Sequence, residues 1–253
     1  MYGKTKVRWF NLLKILGSSS KGNAYILETS TENLILDCGV AYRNISRALN
    51  KDKKTVGCLL SHQHLWLDHC KASSKVLSNG IGIYTSKQVK AELGANMEEI
   101  EVLEEVDRGY KLFRLGNFLI QPFDVYHTNN DDSECPCVGY LIYHKEVGKV
   151  LFVTDTYKLD KNFNGVDHIL IECNYAETLM AESENPQERV IRSHMSLENL
   201  KGYLSKWDLS NTKDITLLHG SERNGDKELF KKEIEELTGK VVNVAEKGVV
   251  LEW

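Results

Sequence analysis

The stretch LLSHQHLWLDHC, Leu59–Cys70, runs from an apolar segment straight into three histidines and an aspartate. Residues two apart on an extended segment point the same way, so the imidazoles of His62 and His64 can meet one metal ion. Asp68 and His69 fall at the expected start of a following helix, where they offer an oxygen and a nitrogen to a second ion beside the first. Working outward from this cluster, six of the eight histidines sit directly after a strand pattern or at the mouth of a loop: His62, His64, His69, His127, His194 and His219. Asp155 likewise ends an apolar strand, VLFVTD. His144 and His168 do not share that setting and read as surface or satisfied polar residues. Together the set describes mixed nitrogen and oxygen ligands, a composition that suits zinc and tolerates manganese or iron.

The whole chain sets limits on what such a cluster serves. Its 253 residues, 42% hydrophobic and 27% charged, describe an ordinary globular protein, expected as a single α/β domain over 1–253 with residues 1–11 as an N-terminal extension. No apolar run approaches the roughly 20 residues needed to cross a bilayer, and Asn11 and Lys14 interrupt the short apolar start, so no membrane partner and a cytoplasmic location are expected. Cys38, Cys58, Cys70, Cys135, Cys137 and Cys173 are scattered without a CxxC pair and read as free thiols, with the CPC at Cys135–Cys137 a weak metal candidate. A formal charge of -4 favours a small anionic substrate held by local cations and metals over a long phosphate backbone. Nucleic acid is not excluded by it, because an acidic protein can hold a basic groove.

Strand patterns come first along the chain: LLKIL at Leu12–Leu16, NAYILE at Asn23–Glu28 and NLILD at Asn33–Asp37, then a helix at YRNISRALN and the strand TVGCLLS that feeds the histidines. KLFRLGNFLIQPFDVYHT reads as two strands in hairpin style, and CVGYLIYH with KVLFVTD as a further pair. Beyond Asp155, strands and helices alternate: VDHILIECN, an acidic helix, the helix SLENLKGYL, the strand DITLLH, and the amphipathic helix DKELFKKEIEELTG with Gly239 as its C-cap. KVVNVAEKGVVLEW is expected to close the chain as a hairpin. Two strand-rich halves with helices at intervals imply sheets covered by helices on their outer faces. Tyr140 and Tyr175 are aromatic residues that fit either base stacking or the core.

In motif order, from LGSSSKGNAYIL to the C-terminus, the chain resembles the metallo-β-lactamase-fold hydrolases. That family carries H-x-H-x-D-H after an early strand, then a later His, a metal-bridging Asp and a final His. The matching residues here are His62, His64, Asp68, His69, His127, Asp155 and His219, and the resemblance implies an αβ/βα four-layer sandwich of two mixed sheets with two Zn2+, or Mn2+, at its edge. The first motif is two residues longer than the family pattern, by Trp66 and Leu67. A loop bulge that absorbs them keeps the second metal; otherwise the first survives on His62, His64 and His127.

RSHMSLENL and LLHGSERN resemble segments of the tRNase Z branch. By that similarity His194 acts as general acid at a scissile phosphate, Asp68 and Asp155 belong to the catalytic centre, and Ser221 and Arg223 bind phosphate, Arg223 being equally readable as a solvated loop cation. GSSSKGN supplies backbone N–H groups, hydroxyls and Lys21 that can cradle an anion, or is a glycine-rich turn. These features imply phosphoester hydrolysis rather than β-lactam or thioester cleavage. The substrate implied by resemblance to the anti-Pycsar phosphodiesterases is a small 3′,5′-cyclic nucleotide such as cCMP or cUMP, which in a phage protein acting in host cytoplasm silences an antiphage alarm. The alternatives are a YycJ-like or tRNase Z-like nuclease, and a metal-poor module that sequesters a nucleotide. A homodimer is implied by the same resemblance.

Overall fold

A computed structural model of the chain describes residues 11–63, 70–94, 97–129, 131–181, 188–221 and 225–253. The first half contributes β1 (Leu12–Gly17), β2 (Ala24–Glu28), β3 (Glu32–Leu36), α1 (Tyr42–Ala48), β4 (Lys54–Leu59), α2 (Ser73–Ser78), β5 (Ile83–Thr85), α3 (Lys87–Leu93) and β6 (Glu101–Val102). A small pair, β7 (Glu105–Val106) and β8 (Gly109–Tyr110), precedes β9 (Phe113–Leu115), β10 (Phe118–Thr128), β11 (Glu134–His144), β12 (Gly148–Val153) and β13 (His168–Glu172). Then come α4 (Glu177–Ala181), α5 (Glu188–Ser193), α6 (Leu197–Leu204), β14 (Asp214–Leu218), α7 (Lys227–Thr238), β15 (Val241–Val244) and β16 (Val250–Glu252). Between 71 and 110 the sequence pattern predicts only the helix that follows Asp68 and His69, and the elements found there are short.

Two seven-stranded sheets carry the structure, in the orders β16-β1-β2-β3-β4-β5-β6 and β15-β14-β13-β12-β11-β10-β9. Each mixes antiparallel hairpins with parallel strands, β3 to β6 in one and β12 to β15 in the other. The central strands β2, β3, β13 and β14 are buried along their whole length, as expected where both faces of a sheet are covered. Alternation sorts the two faces of the second sheet. Leu170 and Leu218 point to the core shared with the first sheet, where Tyr25 meets Phe152 edge-on at 5.6 Å. Ile169, Ile171, Ile215 and Leu217 point outward to Leu197, Leu200 and Leu204 of α6 and Phe230 and Ile234 of α7. Ile45, Val76 and Val89 bring α1, α2 and α3 to the first sheet, which makes the layer order helix, sheet, sheet, helix.

Local chemistry explains the helix ends. Ser196 caps α6 by accepting from the Asn199 N–H, and Asp226 caps α7 by accepting from Glu228 and Leu229, a type of contact that contributes about 1 kcal/mol. Gly239 ends α7 in the left-handed conformation (φ 65°), as its position in the sequence predicts.

The expected closing hairpin does not form. β15 pairs parallel with β14 in the second sheet, whereas β16 pairs antiparallel with β1 in the first. The chain between them crosses from one sheet to the other, with Ala245 N–H donating to Leu217 O and Gly248 N–H to Ile15 O. His144 and His168 are both buried, so the surface half of their expected setting is corrected. Each makes a hydrogen bond through Nδ1, His144 with Glu146 N–H and His168 with Asp214. No described helix is long and apolar enough to cross a membrane.

Candidate metal centre

Because β12, β13 and β14 run parallel, the residues at their C-terminal ends arrive at one edge of the sandwich. Asp155 follows β12, Glu172 ends β13 and His219 follows β14. β3 and β4, also parallel, deliver Asp37 and the Ser61-His62 pair to the facing edge. An isolated antiparallel bridge between His62 and Cys137 joins the two sheets there. Among the described residues four non-glycine residues have left-handed backbone, and three of them are Asp37 (φ 56°), Asp155 (φ 43°) and His219 (φ 52°). Such backbone costs about 1–3 kcal/mol per residue and is kept where surrounding contacts impose it.

Two groups of donor atoms converge. One ligand atom each from His62, His127 and Asp155 lie within 4.8 Å of one another, and so do atoms of Asp155, Glu172, His194 and His219. Asp155 belongs to both. Its Oδ1 lies 3.2 Å from His219 Nδ1, 3.9 Å from His194 Nδ1 and 4.0 Å from His62 Nε2.

The ring orientations are fixed from behind. His127 Nδ1–H donates to the Ser193 carbonyl at 2.6 Å, which makes Nε2 its basic nitrogen. His62 Nδ1 contacts Ser61 Oγ at 2.8 Å, and Asp37 accepts from both the Ser61 N–H (2.7 Å) and its hydroxyl (2.9 Å). Burial pushes the Asp37 carboxyl up to about 8. Glu172 does more. Its Oε1 contacts Nδ1 of His194 (2.6 Å) and of His219 (2.9 Å), while Oε2 accepts from the backbone N–H of Thr156 (2.8 Å) and Met195 (3.1 Å). Burial raises the Glu172 carboxyl, but the two imidazoles outweigh burial and hold it below its ordinary value. For His219 burial lowers the value, and the carboxylates of Asp155 and Glu172 reverse this and carry it up to about 9.

These residues fit divalent cations. Asp155 and Glu172 are fully removed from solvent, and buried carboxylates require positive charge close by. Imidazole nitrogens interleaved with carboxylate oxygens form a donor set for zinc, manganese or iron. Of the residues expected in the site, His62, His127, Asp155, His194 and His219 are brought together. His64, Asp68, His69 and Arg223 lie outside the described residues. Ser221 stands beside the cluster, its N–H donating to the Asn174 carbonyl. Cys135 and Cys137 are buried, with thiols directed to the carbonyls of Gln63 and Asp155. Tyr140 and Tyr175 are buried, and Tyr140 donates to the Leu60 carbonyl at 2.7 Å, so both are core residues and not stacking platforms.

Sequence reasoning passed over Glu172, Asp37 and Ser61, and it read the GSSSKGN turn through its backbone N–H groups, hydroxyls and Lys21 rather than through the Asn23 side chain. A usable signal was present: NLILD, VLFVTD, HILIE and ITLLH are four apolar strands that each end on a titratable residue.

The chain has the metallo-β-lactamase fold. It superposes on YhfI of Bacillus subtilis, a metallo-β-lactamase-fold protein, with a TM-score of 0.71 and 17% identity over 97% of this chain and 100% of that one. Zn2+-bound PqqB from Methylobacterium extorquens matches at TM-score 0.70 and 13% identity, over 96% and 100% of the two chains. In sequence the chain is 27% identical over 241 residues to the exodeoxyribonuclease WalJ of Streptococcus pneumoniae strain D39, covering 85% of this chain and 83% of that protein. No protein-family model matches it.

Proposed function

We propose that this chain is a metal-dependent phosphodiesterase. The observation that carries the reading is Asp155, a wholly buried carboxylate common to two clusters of imidazole and carboxylate donors at the edge of this fold. His62, His64, His127 and Asp155 would hold one ion, and Asp68, His69, Asp155 and His219 the other. Bound there, two divalent ions supply a water acidified toward neutral pH and neutralise charge on phosphoryl oxygens.

The remaining roles belong to the chain. His194 is the least buried of the four imidazoles described in the centre, which supports it as the one that reaches a substrate. Glu172 accepts from its Nδ1–H, hence the proton that His194 delivers to the leaving oxygen is carried on Nε2. Ser221, with Arg223, is assigned to phosphate oxygens.

The likeness to WalJ supports a DNA end as the substrate. A second reading, a 3′,5′-cyclic nucleotide, is favoured by the formal charge of -4, which repels the flanking phosphates of a polymer more than a single nucleotide. The phage-evasion role goes with this second reading. The deciding experiment incubates the protein with Mn2+ or Zn2+ and either end-labelled single- and double-stranded DNA or a panel of cyclic nucleotides, with a chelator control. Chelator-sensitive shortening of DNA selects the first reading, ring opening of cCMP or cUMP the second. Two bound ions and no cleavage of any phosphodiester would sink both. The homodimer is checked by light scattering, where a monomer at micromolar concentration contradicts it.

A further inference from the structure

The turn between β1 and β2 reaches into the metal centre through side chains. Asn23, fully buried, donates from Nδ2 to Asp155 Oδ2 at 2.8 Å and to Thr154 Oγ at 3.0 Å. Its amide cannot be turned over, because Oδ1 accepts from the Ser19 N–H at 3.1 Å, and an oxygen facing the Asp155 carboxylate would be repelled. Thr154 Oγ donates to the same Asp155 Oδ2 at 2.6 Å. One carboxylate oxygen therefore takes two donors, while the other, Oδ1, faces His62, His194 and His219.

The same turn holds a second residue of the centre. Ser18 Oγ accepts from the His219 N–H at 2.9 Å and from Tyr25 OH at 2.8 Å. The turn is closed tightly enough to do this because Gly17 and Gly22 lack side chains. A Cβ on Gly17 would stand 2.6 Å from Gly22 O, and Gly22 itself has φ 130°.

We propose that Asn23, together with Thr154, is a positioning residue: their two bonds occupy Asp155 Oδ2, so that Oδ1 is the oxygen that would serve both metal positions. The inference rests on the two-ion reading of the centre. It assigns to the GSSSKGN turn a mechanical role in place of anion binding. With Asn23 removed, the carboxylate can rotate and offer both oxygens to one ion, at the expense of the other. Supports of this kind typically change metal affinity by about 10–100-fold.

The test is a Mn2+ titration of the metal-free protein, read by metal per chain and by electron paramagnetic resonance. Wild type is expected to bind two ions whose spins are exchange-coupled through the shared oxygen. Asn23→Ala should weaken one of the two sites by about 10–100-fold and abolish the coupling, with the other site unchanged. Should Asn23→Ala fail to fold, Thr154→Val, which keeps the volume and removes only the hydroxyl, must give the same loss. Thr154→Ser, which restores the hydroxyl, must recover the coupling; a merely structural role would not follow this pattern. Wild-type affinity and coupling in Asn23→Ala or Thr154→Val overturns the proposal, as does a wild-type chain that binds fewer than two ions. Hydrolysis is not read here, so a chain that binds two coupled ions but cleaves no phosphodiester defeats the functional reading alone, and the variants still decide the role of Asn23.

Discussion

The two ends of strand β13 carry the same chemical contact and put it to different use. At its start, His168 Nδ1 meets Asp214 Oδ2 at 2.6 Å; at its end, Glu172 Oε1 meets His194 Nδ1, also at 2.6 Å. All four residues are buried. The first pair closes on itself. His168 and Asp214 are direct neighbours across two parallel strands, and the indole of Trp253 stacks on the His168 ring at 4.0 Å, sealing the base of the sandwich. The second pair is open to further partners: the Glu172 oxygen also takes His219, Asp155 stands beside both imidazoles, and the flanking backbone at Asp155 and His219 is left-handed. A buried histidine paired with a carboxylate is thus no site in itself. Convergence of several donors on one point, held by strained backbone, separates the candidate metal edge from the far edge.

That contrast is most readily broken at the acids. Asp155→Ala should abolish phosphodiester hydrolysis, by more than about 10³-fold, and reduce bound metal below two per chain, because the ligand common to both clusters is gone. Asp214→Ala should leave turnover within a few-fold of wild type and lower stability by about 1–3 kcal/mol, the cost of a buried donor left without its acceptor. Full activity in Asp155→Ala, measured with saturating Mn2+, would remove the assignment.

A smaller effect is expected one step back from the metals. Glu172→Gln retains the shape but brings an amide nitrogen toward groups that all donate: His194, His219 and the N–H groups of Thr156 and Met195. Turnover should fall about 10–100-fold with the fold intact by circular dichroism. His168→Gln, at the other end of the strand, should move the melting temperature and not the rate. Equal losses of rate in the two variants would erase the difference between the ends.

The smallest effect concerns a carboxylate whose charge is answered without imidazoles. Glu28 is held by Lys14 Nζ at 2.5 Å and Lys53 Nζ at 2.6 Å. Burial pushes its carboxyl up, and the two ammonium groups more than reverse this, leaving it below its ordinary value. A carboxyl depressed in the folded state stabilises above its unfolded value of about 4.5 and loses that contribution as the pH falls through the folded one. Glu28→Gln should therefore melt below wild type at pH 7, and the gap should close as the pH drops below about 4.5. A gap that widens in acid would show that the lysines are not its cause.

Much of this centre was legible in the chain itself. Apolar strands that end abruptly on His or Asp announce donors at a sheet edge, since a residue tolerated at the end of a buried strand must find a partner there; this reads His62, His127, Asp155 and His219 together, whereas His194 comes from the loop beside an expected helix and from the resemblance. Glu172 carried the same signal in HILIE and was missed because a lone glutamate after an apolar run also fits a strand that simply emerges into solvent. The closing segment failed for a related reason. A turn containing Gly248 between two β-patterned runs is locally identical whether the second run folds back on the first or crosses to another sheet.

Sequence by itself determined most elements outside 71–110, the Gly239 cap of α7, the buried strands and most of the donor types, because these follow from periodicity, backbone preference and side-chain chemistry within a few residues. Only the tertiary structure decided which donors share a partner. The Glu172 bonds to His194 and His219, the Asn23 hold on Asp155 and the separation of β15 from β16 all join residues far apart in the chain. Their pairing is set by strand register across two sheets, and no local pattern encodes that register.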